Sequence, residues 1–421
     1  MQSSKYNLSS SHPLIENSQE YVYDRQIISI HSEDRNILRY PKSSLFEIEL
    51  PQDYNNVLSI TLESWTFPSN YDTFSLAQNN ISLAFTLTNI YNPADYPDTT
   101  DTSGLLTVIY QALTYYNSIN TVYYAIIEEG FYVPNQINIE LQNRMNAAVT
   151  YYITQYITDN APSFLTLFTN IGYNQFIVAY NQVGQKLWFG NRSSGFIIKN
   201  DDTIYLRSEF SVFRSCENTK LPEDVNWGLP YYLGFTRCPV ESDVTKNEEY
   251  PRFYYGDYNS GDGGYWILPN ENNVNNDGVY YSPTAPIYYL TSNYKINLMG
   301  QSYFYLEIDG INTIDETSPF SLCKSTIHTN ETLGVVKSSF AKISIPTTPI
   351  SQWFENTSSK AVKYFNPPAE RIRKMNIKLR YHNGQLVDFG TFNFSFSLEL
   401  VLLRPQQIRE YRAVNPYRGQ V

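Results

Sequence analysis

Cysteine is scarce in this 421-residue chain: Cys216, Cys238 and Cys323 are its only three. The count is odd and no C-x-x-C occurs, so a disulfide framework is not expected. The residues read as free thiols in a reducing compartment, with a Cys216–Cys238 bridge as the alternative. Histidine is almost as rare, with His12, His31, His328 and His382. None falls in H-E-x-x-H or a similar metal spacing. There is no G-x-S-x-G for a nucleophile elbow and no G-x-x-x-x-G-K-S/T for a nucleotide phosphate. No run of 18 apolar residues occurs, so no membrane-spanning helix is expected. The opening stretch, MQSSKYNLSSSHPLIENSQEY, lacks an apolar h-region, so no secretory signal is expected either. Triplets such as Asn330-Glu331-Thr332 then carry no glycosylation message. Charged residues make up 17% of the chain, below the usual ~25%. The net charge of −11 argues against a genome-coating role, so no nucleic-acid partner is expected.

What fills the space is aromatic and uncharged polar. The chain has 38 Tyr and 23 Phe, and aromatics reach 16% with Trp. Tyrosine has an apolar body and a polar tip, which suits half-dry, half-wet interfaces. An AT-rich genome would also enrich Tyr, Asn and Ile, and the two readings are compatible.

Period-two alternation dominates. Phe46, Ile48 and Leu50 share one face, with Glu47 and Glu49 on the other. Leu58, Ile60 and Leu62 repeat the pattern, as do Ile81, Leu83, Phe85 and Leu87. Pro51 and Pro68 read as strand ends. The stretch 121–133 reads as a further strand region, broken near Gly130. The period then changes. Ile137, Leu141, Met145, Ala148 and Tyr152 recur every three or four residues, which predicts a helix near 134–157. Residues 176–180 and 186–189 read as a hairpin, with 196–199 as a further strand. Residues 221–235 read as a short helical turn leading to Leu233-Gly234-Phe235. Residues 248–292 form a long Tyr-, Asn- and Gly-rich loop region. In the last third, Phe304, Leu306 and Ile308 alternate, then Ile377, Leu379 and Tyr381. Asn383-Gly384 signals a hairpin. The best strand of the sequence follows, with Phe392, Phe394, Phe396, Leu398, Leu400 and Leu402 on one face.

The expected fold is all-β: a jelly-roll-like β-sandwich with one helical insertion and long loops, or alternatively two tandem sandwiches. The expected organisation is an N-terminal arm over 1–20, an elaborated sandwich over 21–403 and a C-terminal arm over 404–421.

Several segments together carry a resemblance. They are LFEIELPQDYNNVLSITLESWTFPSNYDTF from Leu45, the Leu233-Gly234-Phe235 turn, YFYLEIDGINTIDETSPF from Tyr303, and PPAERIRKMNIKLRYHNGQLVDFGTFNFSFSLEL from Pro367. Spread over much of 40–403, they resemble minor capsid proteins of nucleocytoplasmic large DNA viruses. The resemblance is one of strands and turns, without a catalytic fingerprint. It implies a virion protein, assembled in the host cytoplasm, that sits beneath or between capsomers of a double jelly-roll major capsid protein. The implied partners are those capsomers and other minor capsid proteins. Contact with an internal membrane and self-association are further expectations.

No catalytic constellation stands out, and no enzyme, cofactor or metal is expected. Asp257-Tyr258-Asn259-Ser260-Gly261-Asp262 looks like the start of a calcium loop. It fails at its sixth position, Asp262, and at its twelfth, Leu268. Glu128 and Glu129 are neighbours on an expected strand and would point to opposite faces. Asp315 and Glu316 read as turn residues. The basic stretch Lys363, Arg371, Arg373, Lys374, Lys378 and Arg380 reads either as a solvated strand face or as a contact with an acidic neighbour or membrane surface. From it, Arg371, Arg373 and Lys374 are the interface candidates. The C-terminal arm adds Arg404, Arg409, Tyr411, Arg412 and Tyr417, residue types enriched at interface hot spots. Two alternatives stand beside the capsid role: a vertex or fibre module binding a host glycan or receptor, and a carbohydrate-active enzyme.

Overall fold

The computed structural model describes residues 21–68, 72–95, 103–199, 228–236, 238–244, 286–316, 337–345, 353–356, 361–382, 384 and 386–405. The N-terminal arm, most of the 248–292 region and residues 406–421 lie outside them. Within them the strands begin with β1 (Tyr21–His31), β2 (Leu45–Pro68), β3 (Ser82–Thr88) and β4 (Tyr123–Ile126). Next come β5 (Phe176–Asn181), β6 (Lys186–Asn191), β7 (Gly195–Lys199), β8 (Val240–Glu241), β9 (Asp243–Val244) and β10 (Tyr288–Thr291). The last are β11 (Tyr303–Ile308), β12 (Ile314–Glu316), β13 (Lys337–Ser339), β14 (Ala341–Ser344), β15 (Trp353–Asn356), β16 (Val362–Arg380) and β17 (Ser395–Pro405). The helices are α1 (Leu105–Ser118), α2 (Pro134–Asn160), α3 (Leu165–Ile171) and α4 (Gly228–Tyr232). All strand pairing is antiparallel, and the fold is all-β and jelly-roll-like.

The chain divides into two compact units. One lies within 1–71, 303–318 and 336–421, and the other within 72–302 with 319–335. Most of the second is thus inserted in sequence between β2 and β11 of the first; the sequence reading treats 21–403 as one sandwich or as two in tandem.

The first unit has a seven-stranded sheet ordered β1-β17-β2-β16-β11-β14, with β15 also on β2, and a separate two-stranded ladder of β12 and β13. Its central strand, β2, has 24 residues and contains Pro51, which the sequence suggests is a strand end. A straight strand would separate Phe46 from Phe67 by about 70 Å. Yet the Phe46 ring lies 6.0 Å from that of Phe394, which precedes the Ser395–Thr66 pair near the far end of β2. The Phe67 ring lies 4.8 Å from Phe304 of β11. The sheet therefore folds over on itself. Two irregularities in the β2–β16 ladder make the corner. Between Ile372↔Tyr54 and Lys374↔Glu49, residues 50–53 of β2 drop out of register; between Tyr364↔Ser59 and Ala369↔Val57, residues 365–368 of β16 do so. Pro51 lies in the first and Pro367-Pro368 in the second. Proline has no N–H to give a ladder, so these are positions where a strand can carry it. The folded sheet encloses one apolar core, including Phe46, Ile60, Leu62, Phe304, Ile308, Ile377, Leu398 and Leu400.

The expected hairpin at 382–385 forms only a short return. Val387 N–H donates to the Leu379 carbonyl at 3.1 Å, and Arg380 bridges Leu386. The strong strand that follows does not pair with β16. It becomes β17, lying between β1 and β2, because its alternating face is buried best in the interior of the sheet.

The second unit has two four-stranded sheets, β5-β6-β10-β9 and β4-β3-β7-β8. Phe176 of β5 meets Phe85 of β3 and Phe196 of β7, each at 5.2 Å between ring centres. The expected helix is α2. Its buried stripe, Ile137, Leu141, Met145, Val149, Ile153 and Ile157, recurs every four residues. The sequence reading lacks α1. That segment, LLTVIYQALTYYNS, has no charge, and its N-cap position is Gly104, which has no side chain to cap it, so the usual helix signals are weak. Gly234 closes the turn after α4 at φ +84°, with its N–H donating to Tyr231 and its carbonyl accepting from Tyr294.

A Cβ at Gly234 would come within 2.2 Å of the Tyr294 carbonyl oxygen, whereas one at Gly310, at φ +77°, meets nothing within 4 Å. Gly310→Ala is expected to cost about 1 kcal/mol from its backbone conformation alone, and Gly234→Ala clearly more. Denaturant unfolding of both variants would check the order.

Candidate interaction surface

The corner of the folded sheet is where the basic candidates lie. Residues 51–53, 55 and 56 of β2 and 366, 367, 370, 371, 373 and 374 of β16 are exposed. A groove of about 710 Å³ opens there, lined by Arg371, Arg373, Lys374, Glu49, Asp309, Phe365 and Ile372 among others. The three cations are matched within the chain. Arg371 and Arg373 reach Asp53 at 3.7 and 3.8 Å. Lys374 reaches Glu49 at 3.0 Å and Glu47 at 3.6 Å. The hydrogen bond and charge of Lys374 hold the Glu49 carboxyl below its ordinary range, and Glu49 raises Lys374 in return. Three cations face three carboxylates, so the surplus positive charge suggested by the sequence is balanced by β2.

Arg404 belongs to β17, which runs to Pro405, past the expected arm boundary. It pairs with Asp24 of β1 at 2.7 Å. Arg409, Tyr411, Arg412 and Tyr417 lie outside the described residues, as do Cys216, Cys323, His12, His328 and the 257–268 loop. Cys238 is exposed.

Arg380, a member of the same basic stretch, has a different setting. Its side chain is 6% exposed and that of Glu316 is 2% exposed. The guanidinium donates from Nη2 to Glu316 Oε1 at 2.6 Å and from Nε to Glu307 Oε2 at 2.9 Å. It also lies 5.3 Å over the Tyr305 ring. Burial works against the charge, but the hydrogen bonds and charges of Glu316 and Glu307 outweigh it and raise the Arg380 pKa. The same environment pushes the Tyr305 hydroxyl up to about 12, through burial first and then the Glu316 charge. Glu316 sits in β12, paired with β13, rather than in a turn. Arg380 thus ties the β12–β13 ladder to β16 and β11, and every charge in it has a use in holding strands. His382 Nδ1 lies 3.6 Å from Glu316 Oε2. Sequence alternation does not reveal this cluster, because its members are 64 and 73 residues apart.

Of the paired carboxylates elsewhere, Glu129 is engaged by its side chain and Glu128 through its backbone. Glu128 and Glu129 follow β4 rather than lying in it. Glu129 accepts from Leu76 N–H, and Glu140 accepts from Glu128 N–H and from Arg144. Among the described residues, no group of three or more His, Cys, Asp or Glu is placed to hold a metal ion. Among them, too, no helix is long and apolar enough to cross a membrane.

No protein-family model matches the chain, and no curated protein does. Among solved structures, the mavirus penton protein aligns with 91% of this chain and 99% of its own, at 8% identity and a TM-score of 0.36. A likeness at that score carries no argument for fold or role.

The two kinds of cation should separate experimentally. Arg380→Met leaves Glu316 buried without its partner and is expected to cost about 3–5 kcal/mol. Arg371→Ala or Arg373→Ala removes a long, exposed ion pair and is expected to cost under about 1 kcal/mol. Chemical denaturation of the three variants would check this.

Proposed function

We propose that this chain is a structural protein of an icosahedral virus shell, a minor capsid component that links or stabilises capsomers. The reading begins from the segments between 40 and 403 that resemble minor capsid proteins of large DNA viruses. The observation that carries it furthest is the construction of the first unit. A folded sheet with an exposed, charge-balanced corner, and outer strands whose far edges no described strand pairs with, offers surfaces for neighbours. In this role the partners are major capsid protein capsomers, other minor capsid proteins and copies of itself, with an internal membrane as a further contact. The chain works in the virion without catalysis, and the recognition is geometric. Neutralised pairs at the corner fix register and reject wrong partners more than they add affinity.

A second reading, a vertex or fibre module that binds a host glycan, is favoured by one feature of the second unit. Rings of Tyr151, Tyr152, Tyr116, Tyr115 and Tyr156 follow one another at 5.0–5.7 Å across α1 and α2. Tyr115 and Tyr151 are half-exposed or more. Such faces can stack on sugar rings.

Crosslinking mass spectrometry on purified particles tests the first reading. Links from Lys363, Lys374 or Lys378 to a major capsid protein are expected. Absence of the chain from particles, or its presence without shell contacts, would overturn it and turn attention to glycan binding.

A further inference from the structure

The strands at the two ends of the β1-β17-β2-β16-β11-β14 path are finished differently. β14 has four residues and carries Lys342, whose Nζ sits 3.8 Å over the Tyr303 ring. A short edge with a lysine resists added strands. β1 has 11 residues, YVYDRQIISIH, with no lysine, proline or glycine. Its two formal charges are turned toward β17, Asp24 to Arg404 at 2.7 Å and Arg25 to Glu399 at 3.6 Å. Ile27 stays 66% exposed. No described strand pairs with the outer edge of β1.

Beside that edge runs a second unpaired one. β17 pairs with β2 only from Val57 onward, so the 45–51 part of β2 has β16 on one side and no described strand on the other. Between the two edges lies a slot of about 650 Å³. Ile28, Ile30, Ile48 and Leu50 give it an apolar floor, and Asp34, Glu47 and Glu49 give it an acidic rim. Of its two cations, Lys374 is taken by Glu47 and Glu49, and Arg39 lies over the Tyr40 ring.

We infer that this slot receives residues 406–421 of a second copy of the chain, laid along β1 as an added strand. That segment, QQIREYRAVNPYRGQV, has three arginines against one glutamate and apolar residues from Ile408 to Tyr417. Its charge complements the rim, and its apolar side chains suit the floor. Strand sense selects the second copy. β17 ends at Pro405, opposite Tyr21 where β1 begins. Turning back on its own chain, the segment would run parallel to β1. Arriving from another copy, it can run antiparallel, the better-bonded arrangement. The inference deepens the shell role proposed above and rests on it for its purpose. Its test uses purified chain, so it can fail while the shell assignment stands.

The experiment uses two full-length chains with Cys216, Cys238 and Cys323 changed to serine. One carries Ser29→Cys in the slot, the other Ala413→Cys in the segment. Mixed under a glutathione redox buffer, they are expected to form a 29–413 disulfide between chains, identified by mass spectrometry. Light scattering is expected to show association of the unmodified chain, loss of it on deleting 406–421, and an about tenfold weakening by Asp34→Lys, which adds charge at an exposed position. Circular dichroism establishes that each variant is folded. Folded chains that form no mixed disulfide would overturn the inference. So would a 29–413 disulfide confined to single chains when both cysteines are in one molecule, or unchanged association after the deletion.

Discussion

The contact on which the first unit depends is the meeting of Phe46 with Phe394, residues that a straight β2 would hold far apart. It exists because β2 and β16 bend together. Each gives up ladder bonds over a few residues, at 50–53 in one strand and 365–368 in the other. The lost bonds cost something, but the groups released are at an exposed corner where water can satisfy them. The return is a two-layer core from one sheet. Staggering the two breaks matters. At each break one strand stays nearly continuous, so the ribbon turns without coming apart.

The bend also explains the charges. A two-stranded ribbon leaving one layer for the other has both faces partly in water, so it cannot be held by burial. Cross-strand ion pairs hold its register instead: Arg371 and Arg373 on Asp53, and Lys374 on Glu47 and Glu49. Each is weak alone. Together they set the cations of β16 against the carboxylates of β2, opposite charges facing across the ladder. Arg380 does the same work in the interior, where desolvation raises the stakes and the geometry is correspondingly complete. One stretch of basic residues thus passes from solvent-facing register marks to a buried clamp within ten positions.

This is where sequence reading succeeded and where it ran short. Alternation marks β3, β11, the 377–380 part of β16 and β17, because each has one face in a core and one outside. The α2 stripe is legible for the same reason at another period. The corner is not, because proline is normally a stop. Pro51 reads as the end of a strand, and only the partner strand, more than 300 residues away, shows that it marks a bulge. The β16–β17 hairpin misleads for a related reason. Gly384 N–H does close back onto the Tyr381 carbonyl, but local turn chemistry does not decide where an 11-residue apolar strand finds its best burial. The α1 helix is hidden by the absence of charges and by a glycine at its N-cap. The Arg380 cluster is hidden because ion pairs between distant residues leave no periodic trace.

The two ends of the sheet are guarded differently. A sheet that needed only to be stable alone would gain from treating both outer strands alike. Here β14 is short and carries a lysine, while β1 is long, charge-neutral and apolar at its exposed centre. The asymmetry costs solubility unless something pairs with β1 in the working state. Its orientation is informative as well. Asp24 and Arg25 could have guarded the edge, yet both are drawn inward to β17. Under the shell role proposed above, a guarded edge on one side and an edge that no described strand pairs with on the other would suit a subunit that adds neighbours on one side and stops on the other.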